Sequence, residues 1–217
     1  MIKILNKPLS EFETDFLAIS LQWYPGLIKL PSPFVAGGFM REIVSGGKPS
    51  DMDLFFRNED CFNTSAKIVQ ADPSYFMSCE SEVALTFDRR ETPENRVQLI
   101  RSNFGGPEKI LKDFDFKMCM IGLDYVTRSV YYFDNVLEHI EKKIMAFNSD
   151  SKTEFNVSSL KRLVKFASRG YTISNEDLKS FAEAIAKLGV DGIRRKKKIT
   201  VRDENGNEIE DAVPDYT

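Results

Sequence analysis

Residues 34–56 decide the reading of this chain: Phe34-Val35-Ala36-Gly37-Gly38-Phe39-Met40-Arg41-Glu42, then Gly46-Gly47-Lys48-Pro49-Ser50-Asp51-Met52-Asp53-Leu54-Phe55-Phe56. Phe34 to Ala36 is a short apolar strand candidate between Pro33 and a glycine pair. Phe39 to Val44 follows as a short helix, ended by Gly46-Gly47 and Pro49, and Asp51 to Phe56 reads as a second strand. Side chains alternate along a strand, so Asp51 and Asp53 share one face while Met52 and Leu54 point into a core. Two carboxylates that close repel unless a cation lies between them, and hard oxygen ligands suit Mg²⁺ or Mn²⁺. At the strand-to-helix turn, Gly37 and Gly38 lack β-carbons, which lets backbone N–H groups approach a phosphate closely. Arg41, in the first turn of that helix, is placed to reach the same phosphates or to fix the aspartate loop. Neither the glycine pair nor Asp-x-Asp is specific alone; their order and apolar flanks make them so.

Outward from this segment, residues 9–30 carry a helical pattern (Leu9, Phe12, Phe16, Leu17, Ile19) that Tyr24-Pro25-Gly26 breaks. Further strands are expected over 82–87, 96–101, 114–121 and 129–133, with a short helix from Pro107 to Lys112. Such interleaving predicts an α+β (α/β-like) fold with a mixed sheet and flanking helices. After residue 134 the character changes. Helices are expected over 135–147, 157–168 and 175–188, the last with Ser174 and Asp177 as a capping pair and Leu178, Phe181, Ile185 and Leu188 as its buried stripe. The chain closes on a hairpin-like segment with an Asn205-Gly206 turn. The boundary falls near residue 135, dividing a head (1–134) from a small helical region with a tail (135–217).

Composition narrows the chemistry. A length of 217 residues with 42% hydrophobic content suffices for a real core. The net charge of −3 exerts no global pull on nucleic acid, so any polyanion site must be local. Three widely spaced cysteines and a single histidine, His139, argue against a zinc site and against a Ser/His/Asp triad. The cysteines read as small packed hydrophobes. No signal-peptide pattern and no long apolar run occurs, so an intracellular, cytoplasmic protein without membrane association is expected.

The same residues resemble the signature of the polymerase-β-type nucleotidyltransferases, and within them the head domain of bacterial-type CCA-adding enzymes and poly(A) polymerases. That family carries Gly-Gly-x-Val-Arg-Asp, a short helix, then Asp-x-Asp-Leu, against Gly37-Gly38-Phe39-Met40-Arg41-Glu42 and Asp51-Met52-Asp53-Leu54 here. Its Arg-Arg-Asp-Phe-Thr-Ile-Asn-Ala block is similar to 113–120, keeping Asp115-Phe116 but with Asp113 and Phe114 in place of the arginines and Cys119 in place of the asparagine. Its neck helix, Arg-Ala-Ile-Arg-Phe-Ala, is similar to Arg162-Leu163-Val164-Lys165-Phe166-Ala167. The likeness spans roughly residues 34–171. The family's base-selecting Glu-Asp-x-x-Arg motif and its long helical body have no counterpart.

The resemblance implies transfer of a nucleoside monophosphate from an NTP to an acceptor hydroxyl, releasing pyrophosphate, with the 3′ end of a tRNA-like RNA as acceptor. It implies Asp51 and Asp53 as metal ligands, Asp115 as a third carboxylate, and Gly37, Gly38, Arg41, Arg162 and Lys165 around the triphosphate. Asp113 competes with Asp115 for the third position, since on a strand both would share a face with Lys117. Between 161 and 198, eleven Lys and Arg stand against four acids. Arg194, Arg195, Lys196, Lys197 and Lys198 are therefore candidates for holding a nucleic-acid backbone, against the plainer reading of a solvated basic loop. Two other functions remain open: transfer to a small molecule or protein, and a non-catalytic nucleotide- or nucleic-acid-binding module of the same fold.

Overall fold

The aspartate-bearing strand is the middle one of a nine-stranded mixed sheet. The computed structural model describes residues 2–5, 11–151, 157–187 and 199–209. In chain order the elements are β1 (Ile2–Leu5), α1 (Glu11–Trp23), a 3-10 turn (Pro25–Lys29), β2 (Phe34–Ala36), α2 (Gly38–Val44), β3 (Asp51–Phe56), α3 (Glu59–Gln70), β4 (Tyr75–Ser81), β5 (Ala84–Arg89) and β6 (Arg96–Phe104). Then come α4 (Pro107–Lys112), a 3-10 turn (Lys117–Cys119), β7 (Ile121–Asp124), β8 (Ser129–Phe133), α5 (Val136–Glu141), α6 (Val157–Ser168), α7 (Asn175–Ala186) and β9 (Ile199–Val201). The sheet order is β1-β8-β7-β2-β3-β6-β5-β4-β9. Its one parallel pair is β3 with β6, and the α3 crossover with the β4–β5 hairpin lies between them in sequence. The fold class is α+β, as the alternation of strand and helix patterns predicts.

Strand alternation sorts β3 onto two cores. Met52, Leu54 and Phe56 join the larger one with Val97, Leu99 and Phe87, beneath α1 and α3. Phe55 faces the other side with Phe34, Ala36, Ile100 and the α4 residues Ile110 and Leu111. Fully burying a Leu or Phe side chain stabilises by about 1.5–3 kcal/mol, so this sorting fixes the register and with it the face that Asp51 and Asp53 share.

Helix ends follow their sequences. Asn58 caps α3, accepting from the Cys61 N–H at 2.9 Å. Ser174 caps α7, accepting from the Asp177 N–H at 3.0 Å, and Asp177 also accepts the Phe147 N–H at 3.0 Å. Pro107 occupies the first turn of α4, where its missing N–H costs nothing.

Several expectations are corrected. Residues 114–121 do not form one strand: a bend and a 3-10 turn precede β7, because Asn148 clamps the segment from outside, donating to the Lys112 and Phe114 carbonyls at 2.9 and 2.8 Å. Asp113 and Asp115 therefore do not share a strand face; Asp113 ends α4 as its C-cap and Asp115 turns inward. The helix expected over 135–147 stops at Glu141, after which Ile144 and Phe147 bridge to Thr172 and Phe116. On α7 Phe181 is buried but Leu178 is exposed, and Leu188 lies outside the described residues. Local patterning did not reveal β1, α3 or β4.

Hydrophobic packing runs across residue 135. Phe116 meets Phe147, Phe166 and Phe181 with ring centroids 6.5, 5.7 and 5.9 Å away, so α6 and α7 share the head's larger core. β9 also joins the head's sheet, pairing with β4 from Cys79↔Val201 to Ser81↔Ile199.

Candidate active site

β3 presents its two aspartates on the face that Phe55 occupies deeper in, under α4. Ala36 is the cross-strand neighbour of Asp53, so the chain leaves β2 for α2 directly beside that carboxylate. Gly37 makes this exit with φ +81, a backbone shape that L side chains rarely take, while its N–H donates to the Ile121 carbonyl at 3.1 Å. A β-carbon on Gly37 would stand 2.8 Å from the Phe114 ring and 3.7 Å from Asp53 Oδ2. One at Gly38 would meet nothing within 4 Å, so the turn is open at that residue.

The electrostatics of the pair are set by its surroundings. Ser50 Oγ donates to Asp51, whereas Asp53 accepts no hydrogen bond from the described residues. Burial and then the neighbouring Asp51 hold the Asp53 carboxyl well above the usual carboxylate range; Arg162 and Lys165 pull it back down. Two side chains of α6 thus act on a carboxylate more than a hundred residues earlier. Lys165 is exposed and has no ion-pair partner among the described residues.

Asp115 is only 7% exposed, and its Oδ2 accepts from Arg162 Nε at 2.8 Å and Nη2 at 2.7 Å. Arg162 Nη2 also donates to Ser159 Oγ at 3.1 Å. The turn carrying Asp115 is held by the Asn148 clamp, by the Asn148 N–H donating to the Asp115 carbonyl at 2.8 Å, and by Ser151 Oγ donating to the Asp113 carbonyl at 2.9 Å.

Arg41 is 2% exposed. Its guanidinium pairs with Glu42, donates to Cys119 Sγ at 3.5 Å and stacks over the Phe166 ring, 4.5 Å from the centroid, with Tyr171 beyond at 5.9 Å. Glu42 in turn accepts from Arg169 at 2.9 Å. This arginine braces α2 against α6. Burial pushes the Cys119 thiol up, leaving it a packed apolar group. Sequence reasoning missed Asn148, Glu42 and Phe166; Glu42 carried the only local signal, its adjacency to Arg41.

Among the described residues no three His, Cys, Asp or Glu side chains gather as a metal site. The hard-oxygen donors available are Asp51 and Asp53, two carboxylates on one strand face, a donor set whose chemistry suits a small divalent ion. No helix of the described residues is long and apolar enough to cross a membrane. The basic run 194–198 lies outside the described residues.

Residues 4–143 match the model of the Gabija anti-defense 2 family protein. The chain belongs to the Gabija anti-defense 2 family. A curated relative, Gabija anti-defense 2 of Bacillus phage SPbetaL7, is 26% identical over 159 residues, covering 69% of this chain and 36% of that protein. The chain thus spans about a third of its relative's length. Solved structures of similar fold include CCA-adding enzymes and a tRNA nucleotidyltransferase. The Thermotoga maritima CCA-adding enzyme complexed with tRNA aligns with TM-score 0.56 at 13% identity, over 83% of this chain and 46% of that one. A CCA-adding enzyme with CTP gives 0.58 at 13% identity over the same shares. A tRNA nucleotidyltransferase with primer tRNA and an incoming ATP analog gives 0.52 at 14% identity, over 77% of this chain and 50% of that one. At such identities the likeness is one of fold. The head resemblance read from Gly37-Gly38 and Asp51-x-Asp53 therefore holds at the level of the fold, and the family is Gabija anti-defense 2.

Proposed function

We propose that this protein is a metal-dependent nucleotidyltransferase that moves a nucleoside monophosphate from an NTP to an acceptor hydroxyl and releases pyrophosphate. The observation that carries the reading is that Arg162, aimed by Asp115, and Lys165 stand on α6 within electrostatic reach of Asp53 on β3, next to a glycine turn that is open at Gly38. Asp51 and Asp53 would hold Mg²⁺ or Mn²⁺, which when bound supplies Lewis-acid stabilisation of the transferring phosphate and its leaving group. Gly37 makes the turn and Gly38 leaves room for the phosphates, which Arg162 and Lys165 would neutralise. Asp115 serves here by aiming Arg162, since its Oδ2 is occupied by that guanidinium. Arg41 supports the site from behind by holding α2 to α6. Residues 1–134 would form the catalytic head, with α6 of the neck-like region 135–217 delivering the cations.

For the acceptor we propose the 3′ end of RNA. Among solved neighbours of this fold, one holds tRNA, others hold CTP or ATP, and one holds a primer tRNA with an incoming ATP analog, while 194–198 offers positive charge for a backbone. A second reading rests on the phage relative's name: the transfer serves to counter a defence system, with one of that system's proteins as acceptor. The test incubates the protein and Mg²⁺ with each labelled NTP, a mixed small-RNA pool and purified Gabija proteins, beside the Asp51→Ala/Asp53→Ala variant. Label on RNA with wild type alone supports the first reading; label on a protein supports the second. Binding of no NTP would leave a non-catalytic module.

A further inference from the structure

The aspartate pair has two unlike flanks. Toward β7 and α6 stand the cations Arg162 and Lys165. Toward β6 and β5 the same sheet face continues through residues that strand register fixes: Asp53 lies beside Gln98 and Gln98 beside Thr86, while Asp51 lies beside Arg96. Side chains of in-register neighbours project to one face, about 4.8 Å apart between strands. Ile100 and Ala84, further along the same faces, pack with Phe55 in the smaller core, which confirms the orientation.

This second flank carries no net charge. Arg96 is held by Asp88, with Nε to Oδ1 at 2.7 Å and Nη2 to Oδ2 at 3.3 Å. The Gln98 amide is half-buried and makes no side-chain hydrogen bond among the described residues. The amide thus presents one donor and one acceptor on the face it shares with Asp53, neither engaged by a described residue.

We infer that Gln98 and the neutral Arg96–Asp88 pair form the acceptor subsite, which takes the terminal ribonucleoside of the acceptor with the Gln98 amide bonded to its vicinal 2′,3′-diol. The inference rests on the nucleotidyl-transfer reading and adds the acceptor's place to it. Charge assigns the flanks: the triphosphate requires cations, and those lie toward α6. The diol requires one donor and one acceptor and no charge, which is what Gln98 presents next to Asp53. A single serine, threonine or tyrosine hydroxyl would use only half of the amide.

The test observes the Gln98 side-chain NH₂ resonance of the full-length protein, assigned by its absence in Gln98→Ala, during titration with the diribonucleotide CpA. CpA ending in a 2′,3′-dideoxynucleoside and N-acetyl-tyrosinamide are titrated in parallel. The expected result is a saturable shift with CpA, reduced at least threefold with the dideoxy form and absent with the tyrosine compound. In transfer assays Gln98→Ala raises the acceptor KM roughly three- to tenfold, the range of one neutral hydrogen bond, and leaves NTP affinity unchanged. No shift with CpA, or the larger shift with N-acetyl-tyrosinamide, overturns the inference. A CpA shift without transfer of any NTP upholds the subsite and counts against the catalytic reading.

Discussion

Arg162 spends two donors on a single oxygen of Asp115, reaching it across 47 residues of sequence. On the proposed function, an arginine so held would meet the NTP phosphates already oriented, which would remove part of the side-chain entropy cost of binding them. Replacing Asp115 with Asn is expected to weaken NTP binding roughly three- to tenfold, while Arg162→Ala weakens it further. Because Asp115 acts through Arg162, the double variant should resemble Arg162→Ala alone, with a coupling energy of roughly 0.7–1.4 kcal/mol. Calorimetric titration of the four proteins checks this; additive losses would return Asp115 to an independent role.

The two glycines of the β2–α2 turn should respond oppositely to alanine. Gly37→Ala places a β-carbon against Phe114 in a left-handed backbone and should cost roughly 2–3 kcal/mol, lowering Tm by about 4–12 °C. Gly38→Ala meets no atom, so folding should be unchanged while NTP affinity falls. Thermal melts with and without Mg²⁺ and NTP separate the two.

Asp53 is costly to the protein without a cation. Its charge is desolvated and repelled by Asp51, so Asp53→Asn should abolish transfer yet raise Tm in EDTA. Added Mg²⁺ should stabilise the wild type and leave the variant unmoved. A variant less stable than wild type in EDTA would mean that the carboxylate is satisfied by other means.

The aromatic cluster at Phe116 is what makes α6 part of the site. Phe116→Ala is expected to cost about 3–5 kcal/mol and to loosen α6 and α7 before the sheet. Hydrogen exchange should show faster amides in 157–168 with β3 still protected; uniform loss across the chain would contradict this division.

The segment 34–56 was legible because its information is local. Glycines set the turn, alternation aims Asp51 and Asp53, and the structure keeps every element there within a residue of its expected bounds. Segment 113–121 was not legible, because its shape comes from Asn148, more than thirty residues away, whose side chain holds carbonyls that a strand would have paired otherwise. Arg41 shows the same limit. Its place after the glycines points toward phosphate, but the ring of Phe166, unconnected to it by any local pattern, receives it instead. β1 and β4 escaped notice since edge and hairpin strands carry mixed patterns that tertiary pairing settles.

The pairing of Ile2 with Phe133 sets a schedule for biosynthesis. At 5–20 residues per second, β1 leaves the ribosome roughly 7–26 s before the strand that will receive it exists. Through that interval its backbone groups are unpaired, and β4 likewise awaits β9 at the opposite margin of the sheet. The two margins of the sheet therefore close last, after the strands that receive β1 and β4 have been made.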